Sequence, residues 1–247
     1  MTKVNEHPTI GRLIPDSIGE DLMFFRQFKQ FKMFWLPDSK KQLEDLEPEH
    51  RFLVKKWKKQ PEGLPEVCRN FDVLAALQSL GAYEVGFSSA EDESLLMLTA
   101  GQEKAWQDFS KQESTYCENA CSALIRYFNH LRKIDPELFR EEEDCPESAK
   151  SIEDLASCVR FDGMNISPEA KNGHSTISFG WDVDWDMEHG LQMIFHNQQV
   201  IAMGNDLYSP EDICSAANFY REILSEDEQS AFNNFEKEFK SASEDDS

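Results

Sequence analysis

Long apolar segments are missing from the sequence. No run of about 18 consecutive apolar residues occurs, which is the length that a helix needs to cross a bilayer. The first residues also lack the basic start and the apolar core of a secretory signal peptide. We therefore expect a cytoplasmic protein that has no membrane partner.

Basic side chains are scarce. The 247 residues include 25 Lys and Arg against 47 Asp and Glu, which is a formal net charge of −22. Nucleic acids and anionic surfaces would repel such a chain because both carry phosphates. We therefore expect no nucleic-acid partner, and a basic protein is the natural complement. Hydrophobic residues make up 40% of the chain, which is enough to build a core and excludes a disordered acidic polymer.

Signatures of metal and cofactor chemistry are also missing. The sequence has no glycine-rich phosphate loop, no G-x-S-x-G nucleophile elbow and no H-E-x-x-H zinc motif. Its six cysteines lack the second ligand pair of a zinc finger. Without a secretory signal, they are expected to be free thiols. We therefore expect no cofactor, no metal ion and no catalytic residue.

Residues 1–140 are predicted to be mostly helical. Phenylalanine and tryptophan recur every three or four positions over residues 22–35, a spacing typical of one stripe of an amphipathic helix. Pro48 and Pro65 are expected to open two further helices, since proline suits the first helical position. Apolar spacing predicts a longer helix over residues 115–133.

An acidic segment follows this helical region. Glu141, Glu142 and Glu143 precede an aspartate, a cysteine and a proline, a pattern typical of a solvated linker. The sequence therefore predicts a helical region at 1–140 and a second region at 155–247, and the two could share one core.

The second region is predicted to hold a small sheet and two C-terminal helices. Apolar and polar residues alternate over 177–186, a shorter alternation follows at 191–195, and an apolar segment at 200–203 ends at Gly204. Polar turns join these three segments, so they are expected to form an antiparallel β-meander. Ser209 and Ser225 are good N-caps and predict one helix to about residue 224 and another after it. The predicted fold class is α+β: a mostly helical N-terminal part, a small antiparallel meander and two C-terminal helices.

Three aspartates end the first predicted strand. Asp182, Asp184 and Asp186 alternate with apolar residues, and on a strand they would project from one face at intervals of roughly 7 Å. Three carboxylates on one face need water, a cation or a basic partner. Calcium is disfavoured because an EF-hand loop beginning at Asp182 would need glycine where Met187 stands and glutamate where Met193 stands. The preferred interpretation is a fixed negative surface.

The turn after this strand offers a second kind of chemistry. Glu188 and His189 are adjacent, and a carboxylate beside an imidazole can do acid–base catalysis. Neighbours on a strand point to opposite faces, however, and no nucleophile motif accompanies them. Trp185 is expected on the apolar face, and His189 and Gly190 are expected to have structural roles in the turn.

The residues from Trp185 to Leu191 form the pattern W-D-x-E-H-G-L. Together with the strand, polar turn and glycine-ended strand that follow, this pattern resembles a family of bacterial domains of unknown function. That family recurs among immunity proteins encoded beside polymorphic toxin genes. The resemblance covers roughly residues 155–205, and the family has no assigned catalytic residues to carry over.

The resemblance implies an immunity protein that binds and blocks a cognate toxin domain, whose active site an acidic surface would occlude. The charge agrees, because toxins that act on nucleic acids are often basic and would be steered to an acidic inhibitor. Two alternatives stay open: an enzyme that reverses a toxin-installed modification, and an acidic regulatory or scaffold protein. The residues expected to bind the toxin are Asp182, Asp184, Asp186, Glu188, Glu141, Glu142 and Glu143.

Overall fold

A mixed β-sheet with helices packed against it makes up the described part of the chain. The structure is a computed structural model that describes residues 5–7, 11–15, 22–31, 44, 46–59, 76–78, 80–88, 98–140, 142, 144–168 and 175–244. The strands are β1 (Asn5–His7), β2 (Gly11–Pro15), β3 (Leu22–Gln27), β4 (Ala82–Phe87), β5 (Val159–Ile166), β6 (Ile177–Val183), β7 (Leu191–His196) and β8 (Gln199–Gly204). The α-helices with described bounds are α1 (Pro48–Lys59), α2 (Ala100–Lys111), α3 (Glu113–Ile134), α4 (Pro210–Phe219) and α5 (Glu226–Glu244). Short 3-10 helices lie at Pro136–Phe139, Ile152–Leu155, Asp184–Asp186 and Arg221–Ile223.

The strands lie side by side in chain order from β1 to β8. β4 and β5 are parallel, with Val85 opposite Met164, and the other described pairs are antiparallel. The connection from β4 to β5 contains α2 and α3, since parallel neighbours need a long crossover. The predicted meander therefore exists as β6, β7 and β8, but it is one end of a larger sheet.

The prediction that the N-terminal part is mostly helical is wrong. Residues 22–27 form β3, in which Phe24 lies opposite Val85 of β4. The first four residues of β3 are all buried, so the strand shows no alternation. A short apolar run buried on both faces cannot be told from a helix by periodicity. The chain is α+β, but the predicted arrangement of a helical front, a small sheet and two closing helices does not describe it.

Other predicted helices have mixed outcomes. The helix expected from Pro48 is α1, and the one expected over 115–133 lies within α3. Residues 32–35 and Pro65 lie outside the described residues. The helix expected to run from Ser209 to about residue 224 ends earlier, because α4 stops at Phe219 and a 3-10 turn follows.

The main hydrophobic core lies between one face of the sheet and helices α2 and α3. Its centre is aromatic: the Phe31 and Phe161 rings stack with centroids 4.5 Å apart, and Phe28 meets Phe161 edge-on at 5.3 Å. The core cluster contains residues from before position 141 and from after position 155. Large buried aromatic side chains supply much of the area removed from water.

The segment predicted to be a solvated linker packs against α3. The Asn129 amide donates to the Ala149 carbonyl at 2.7 Å, and its oxygen accepts the Ala149 N–H at 2.9 Å. Cys145 and Ile152 are buried in the same segment. This side-chain bridge satisfies both backbone groups of Ala149, so the segment is fixed to the helix.

Helices α4 and α5 cover the other face of β7 and β8. Ile194 and Ile201 pack there against Phe232 and Phe235 of α5, in a second buried cluster. Both faces of these strands are therefore buried. No helix among the described residues is long and apolar enough to cross a membrane.

Candidate functional site

The turn at residues 184–190 departs from the predicted strand. β6 ends at Val183, and Asp184–Asp186 form a 3-10 turn. Gly190 closes it with φ of +65°, and its N–H donates to the Asp186 carbonyl at 2.8 Å. A Cβ on Gly190 would lie 2.8 Å from the Trp181 carbonyl oxygen, so only glycine fits here. The three aspartates therefore do not share one strand face.

Asp182 and Asp184 occupy different surroundings. Asp182, the only one of the three on the strand itself, is exposed. Partial desolvation raises the pKa of its carboxyl, the charge of Arg160 opposes this rise, and the nearby Asp184 charge adds to it. The Asp184 carboxylate forms an ion pair with Arg160 at 3.1 Å, and its side chain is only 17% exposed. The structure thus leaves Asp182 available to solvent and ties Asp184 to β5.

Asp186 stabilises the turn through contacts with His189 of the same turn. Its Oδ1 accepts the His189 N–H at 3.2 Å and lies 2.9 Å from Nδ1 of the same residue. The hydrogen bond and charge of Asp186 raise the pKa of His189, with smaller contributions from Glu188 and Asp206. Among the described residues, no hydroxyl or thiol hydrogen-bonds to this imidazole. The pair could exchange a proton with solvent or a ligand.

Trp185 anchors the turn to the core. Its side chain is buried and meets Phe128 of α3 at 5.3 Å and Phe139 at 5.6 Å between ring centroids. The predicted apolar environment of this indole is therefore correct. The anchor fixes the turn, so its charged side chains are held on a rigid support.

The remaining predicted residues are more scattered. Glu188 is exposed on the turn, and Glu142 is half-buried after the 3-10 helix that ends at Phe139. Glu141 and Glu143 lie outside the described residues. Among the described residues, no three His, Cys, Asp or Glu side chains are grouped as a metal site would require.

A cleft of about 500 Å³ opens beside the turn. Its walls come from α3, the 3-10 helix at Pro136–Phe139, the turn, the residues after β8, and α4 with Tyr220. Among the described residues, four aromatic side chains and three carboxylates line it, namely Tyr127, Trp185, Phe219 and Tyr220, and Asp186, Asp206 and Asp212. Sequence reasoning found Trp185 and Asp186 but missed the others, because no local pattern joins positions so far apart in the chain.

The mouth of this cleft is unusually apolar for a surface. Phe219 is 67% exposed and Leu138 is 42% exposed, and both line the cleft. Met187, in the turn itself, is 79% exposed. Exposed apolar groups around a concave site are typical of a surface that binds a partner.

Comparison with protein families assigns the chain. The model of the family described as "Domain of unknown function (DUF6985)" matches residues 74–208. The chain belongs to the DUF6985 family. No curated protein and no solved structure matches the chain.

The DUF6985 match covers most of the site. The matched residues include β4 to β8, helices α2 and α3, the 184–190 turn and the cleft wall as far as Leu207. The cleft wall formed by α4 and Tyr220 lies after the DUF6985 match. The family domain thus contributes the turn, and the C-terminal helices complete the cleft.

Proposed function

We propose that this DUF6985 protein is an immunity protein that binds a cognate bacterial toxin domain and occludes its active site with an acidic surface. The observation that carries the proposal is the group of exposed carboxylates on and beside an internally braced turn, in a chain of net charge −22. The resemblance of Trp185–Leu191 to domains found among immunity proteins supports the same function. No catalytic step by this chain is part of the proposal.

The proposed binding surface consists of Asp182, Glu188 and Asp206, which are exposed on or beside the turn. The partners of Asp184 and Asp186 within the protein hold the turn in place. A rigid surface loses little conformational entropy when it binds. Its negative field would attract a basic toxin and speed the encounter at low salt.

The test measures the affinity of the full chain for the toxin domain encoded by the neighbouring gene, at low and high salt. Glu188→Lys should weaken binding by about tenfold or more, since it places a like charge against a basic surface. Glu118→Lys on α3 is the matched control because Glu118 is also exposed and lies about 13 Å along the helix from Tyr127. Asp184 and Asp186 are left unchanged, since reversing them would break the turn.

Three outcomes would overturn the proposal. They are no binding of the toxin domain at either salt concentration, equal loss of affinity in both lysine variants, and affinity that does not change in Glu188→Lys. Equal loss would mean that only net charge matters, and unchanged affinity would place the binding surface elsewhere.

A second candidate is an enzyme that reverses a toxin-installed modification. The Asp186–His189 pair favours it, because its Nδ1–Oδ1 distance of 2.9 Å suits proton exchange. If the protein is this enzyme, His189→Gln should abolish the protection of cells from the toxin, while toxin binding stays unchanged or absent. Protection that persists in His189→Gln would exclude it.

A further inference from the structure

The cleft beside the turn has a lining suited to a long cationic side chain. Its volume of about 500 Å³ is at the lower end of the range for ligand sites. Aromatic rings from α3, the turn and the end of α4 form its walls. No lysine or arginine is among the described residues that line it. The cleft therefore combines aromatic surface with negative charge.

Two of the three lining carboxylates are already engaged. Asp186 holds the turn, as described above, and Asp212 accepts the Ser209 N–H at 3.0 Å and the Ser209 hydroxyl at 2.7 Å in the cap of α4. Asp206 differs, because it has no hydrogen bond or ion pair among the described residues. It is exposed, with φ of +55°. This carboxylate is available to a cation that enters the cleft.

We propose that the cleft receives an arginine side chain of the bound partner, with its guanidinium between the aromatic wall and Asp206. A guanidinium is planar, stacks on aromatic faces and can bind a carboxylate with two parallel hydrogen bonds. The exposed Phe219 and Leu138 at the mouth would contact the backbone and neighbouring side chains of the partner segment. The inference rests on the proposed function, which supplies a basic partner.

The direct test needs no toxin. The full-length protein, labelled with ¹⁵N, is titrated with N-acetyl-arginine amide and with N-acetyl-citrulline amide, which has a similar shape and no charge. We expect saturable shifts of the Trp185 indole and Gly190 amide signals with the arginine probe only. Equal shifts with both probes, or none with either, would overturn the inference.

Two variants test whether the Asp206 carboxylate binds the guanidinium. Asp206→Asn should weaken binding of the arginine probe by about tenfold, because it removes the carboxylate charge that strengthens hydrogen bonds to the guanidinium. Asparagine tolerates a positive φ, so this variant should fold normally. Glu211→Gln on α4 is the control, since Glu211 is exposed but does not line the cleft. Equal affinity in Asp206→Asn and wild type would overturn the role of Asp206.

The toxin measurement separates this inference from the proposed function. Weaker toxin binding by Asp206→Asn but not by Glu211→Gln would support both. Toxin binding that is unchanged in Asp206→Asn, with no response to the arginine probe, would overturn the cleft inference and leave the immunity function standing. Absence of toxin binding would overturn the proposed function, while the probe titration would still decide whether the cleft takes a guanidinium.

Discussion

The carboxylate of Asp186 lies 2.9 Å from Nδ1 of His189 and also accepts the backbone N–H of that residue at 3.2 Å. One side chain therefore fixes both the path of the turn and the orientation of its imidazole. The same carboxylate is at the edge of the cleft. The conformation of the turn and the charge of the cleft are thus coupled through Asp186.

This contact predicts the titration of His189. Its raised pKa should fall towards the ordinary value of about 6.5 in Asp186→Asn. Because folding raises this pKa, the stabilisation from the pair is fully present below about pH 6.5 and is lost as the pH rises through the folded-state pKa. An NMR titration of the imidazole measures it, and Glu188→Gln, which removes a smaller contribution, should lower the pKa less. A pKa that is unchanged in Asp186→Asn would contradict the contact.

Gly190 predicts a local stability effect. Gly190→Ala should lower the free energy of unfolding by about 1–2 kcal/mol or more, because a left-handed conformation is costly for other residues and the new Cβ would meet the Trp181 carbonyl. Gly180→Ala on β6 is the control, since the nearest atom to its Cβ would lie at an ordinary 3.7 Å. Chemical unfolding compares the two variants, and equal losses would argue against strain at Gly190.

An ion pair between Arg126 of α3 and Glu228 of α5 joins the two helices, and we expect it to contribute to stability. Arg126 Nη2 donates to Glu228 Oε1 at 2.6 Å, and the Glu228 side chain is only 4% exposed. Arg126→Met should cost about 3–5 kcal/mol of stability, because it leaves a buried carboxylate without its cation. Lys104→Met breaks the exposed pair with Asp108 and should cost less than about 1 kcal/mol. Similar losses in the two variants, measured by denaturant unfolding, would contradict this difference.

The raised pKa of Asp162 predicts that replacing this residue increases stability in a pH-dependent way. Desolvation and the charge of Asp182 raise the pKa of its carboxyl, while the Gln78 amide donates to it at 3.3 Å. Ionisation of Asp162 therefore destabilises the fold, and this cost is fully present above the raised folded-state pKa. The cost shrinks as the pH falls through that pKa and is gone below the lower pKa of the unfolded chain. Asp162→Asn keeps an oxygen acceptor for Gln78 and should raise the unfolding midpoint at pH 7. The gain should vanish under acidic conditions, and a gain that is independent of pH would point to another cause.

Local patterns were enough for the elements that bury one face. Alternation over residues 177–183 predicted β6, and the Ser209 cap predicted the start of α4. The 3.6-residue spacing of apolar side chains predicted α3. In these segments buried positions recur with the period of the backbone, so the spacing of apolar residues predicts the secondary structure.

The same reasoning failed where burial has no period or where contacts are distant. Leu22 to Phe25 are buried on both faces of a strand, and their spacing imitates a helix. Asp184 and Asp186 continue the alternation of β6 in the sequence, but they form a 3-10 turn in the structure. The Asp184–Arg160 ion pair and the positive φ of Gly190 stabilise this turn.

The composition set the net charge of the molecule and hence the sign of the electrostatic field around it. The residues of the turn, Trp185 to Gly190, were visible in the sequence as an unusual pattern. The cleft was not, because its walls come from five separate parts of the chain and Asp206 belongs to no motif. A concave site arises from packing between distant elements, and no spacing along a sequence records which of those elements will meet.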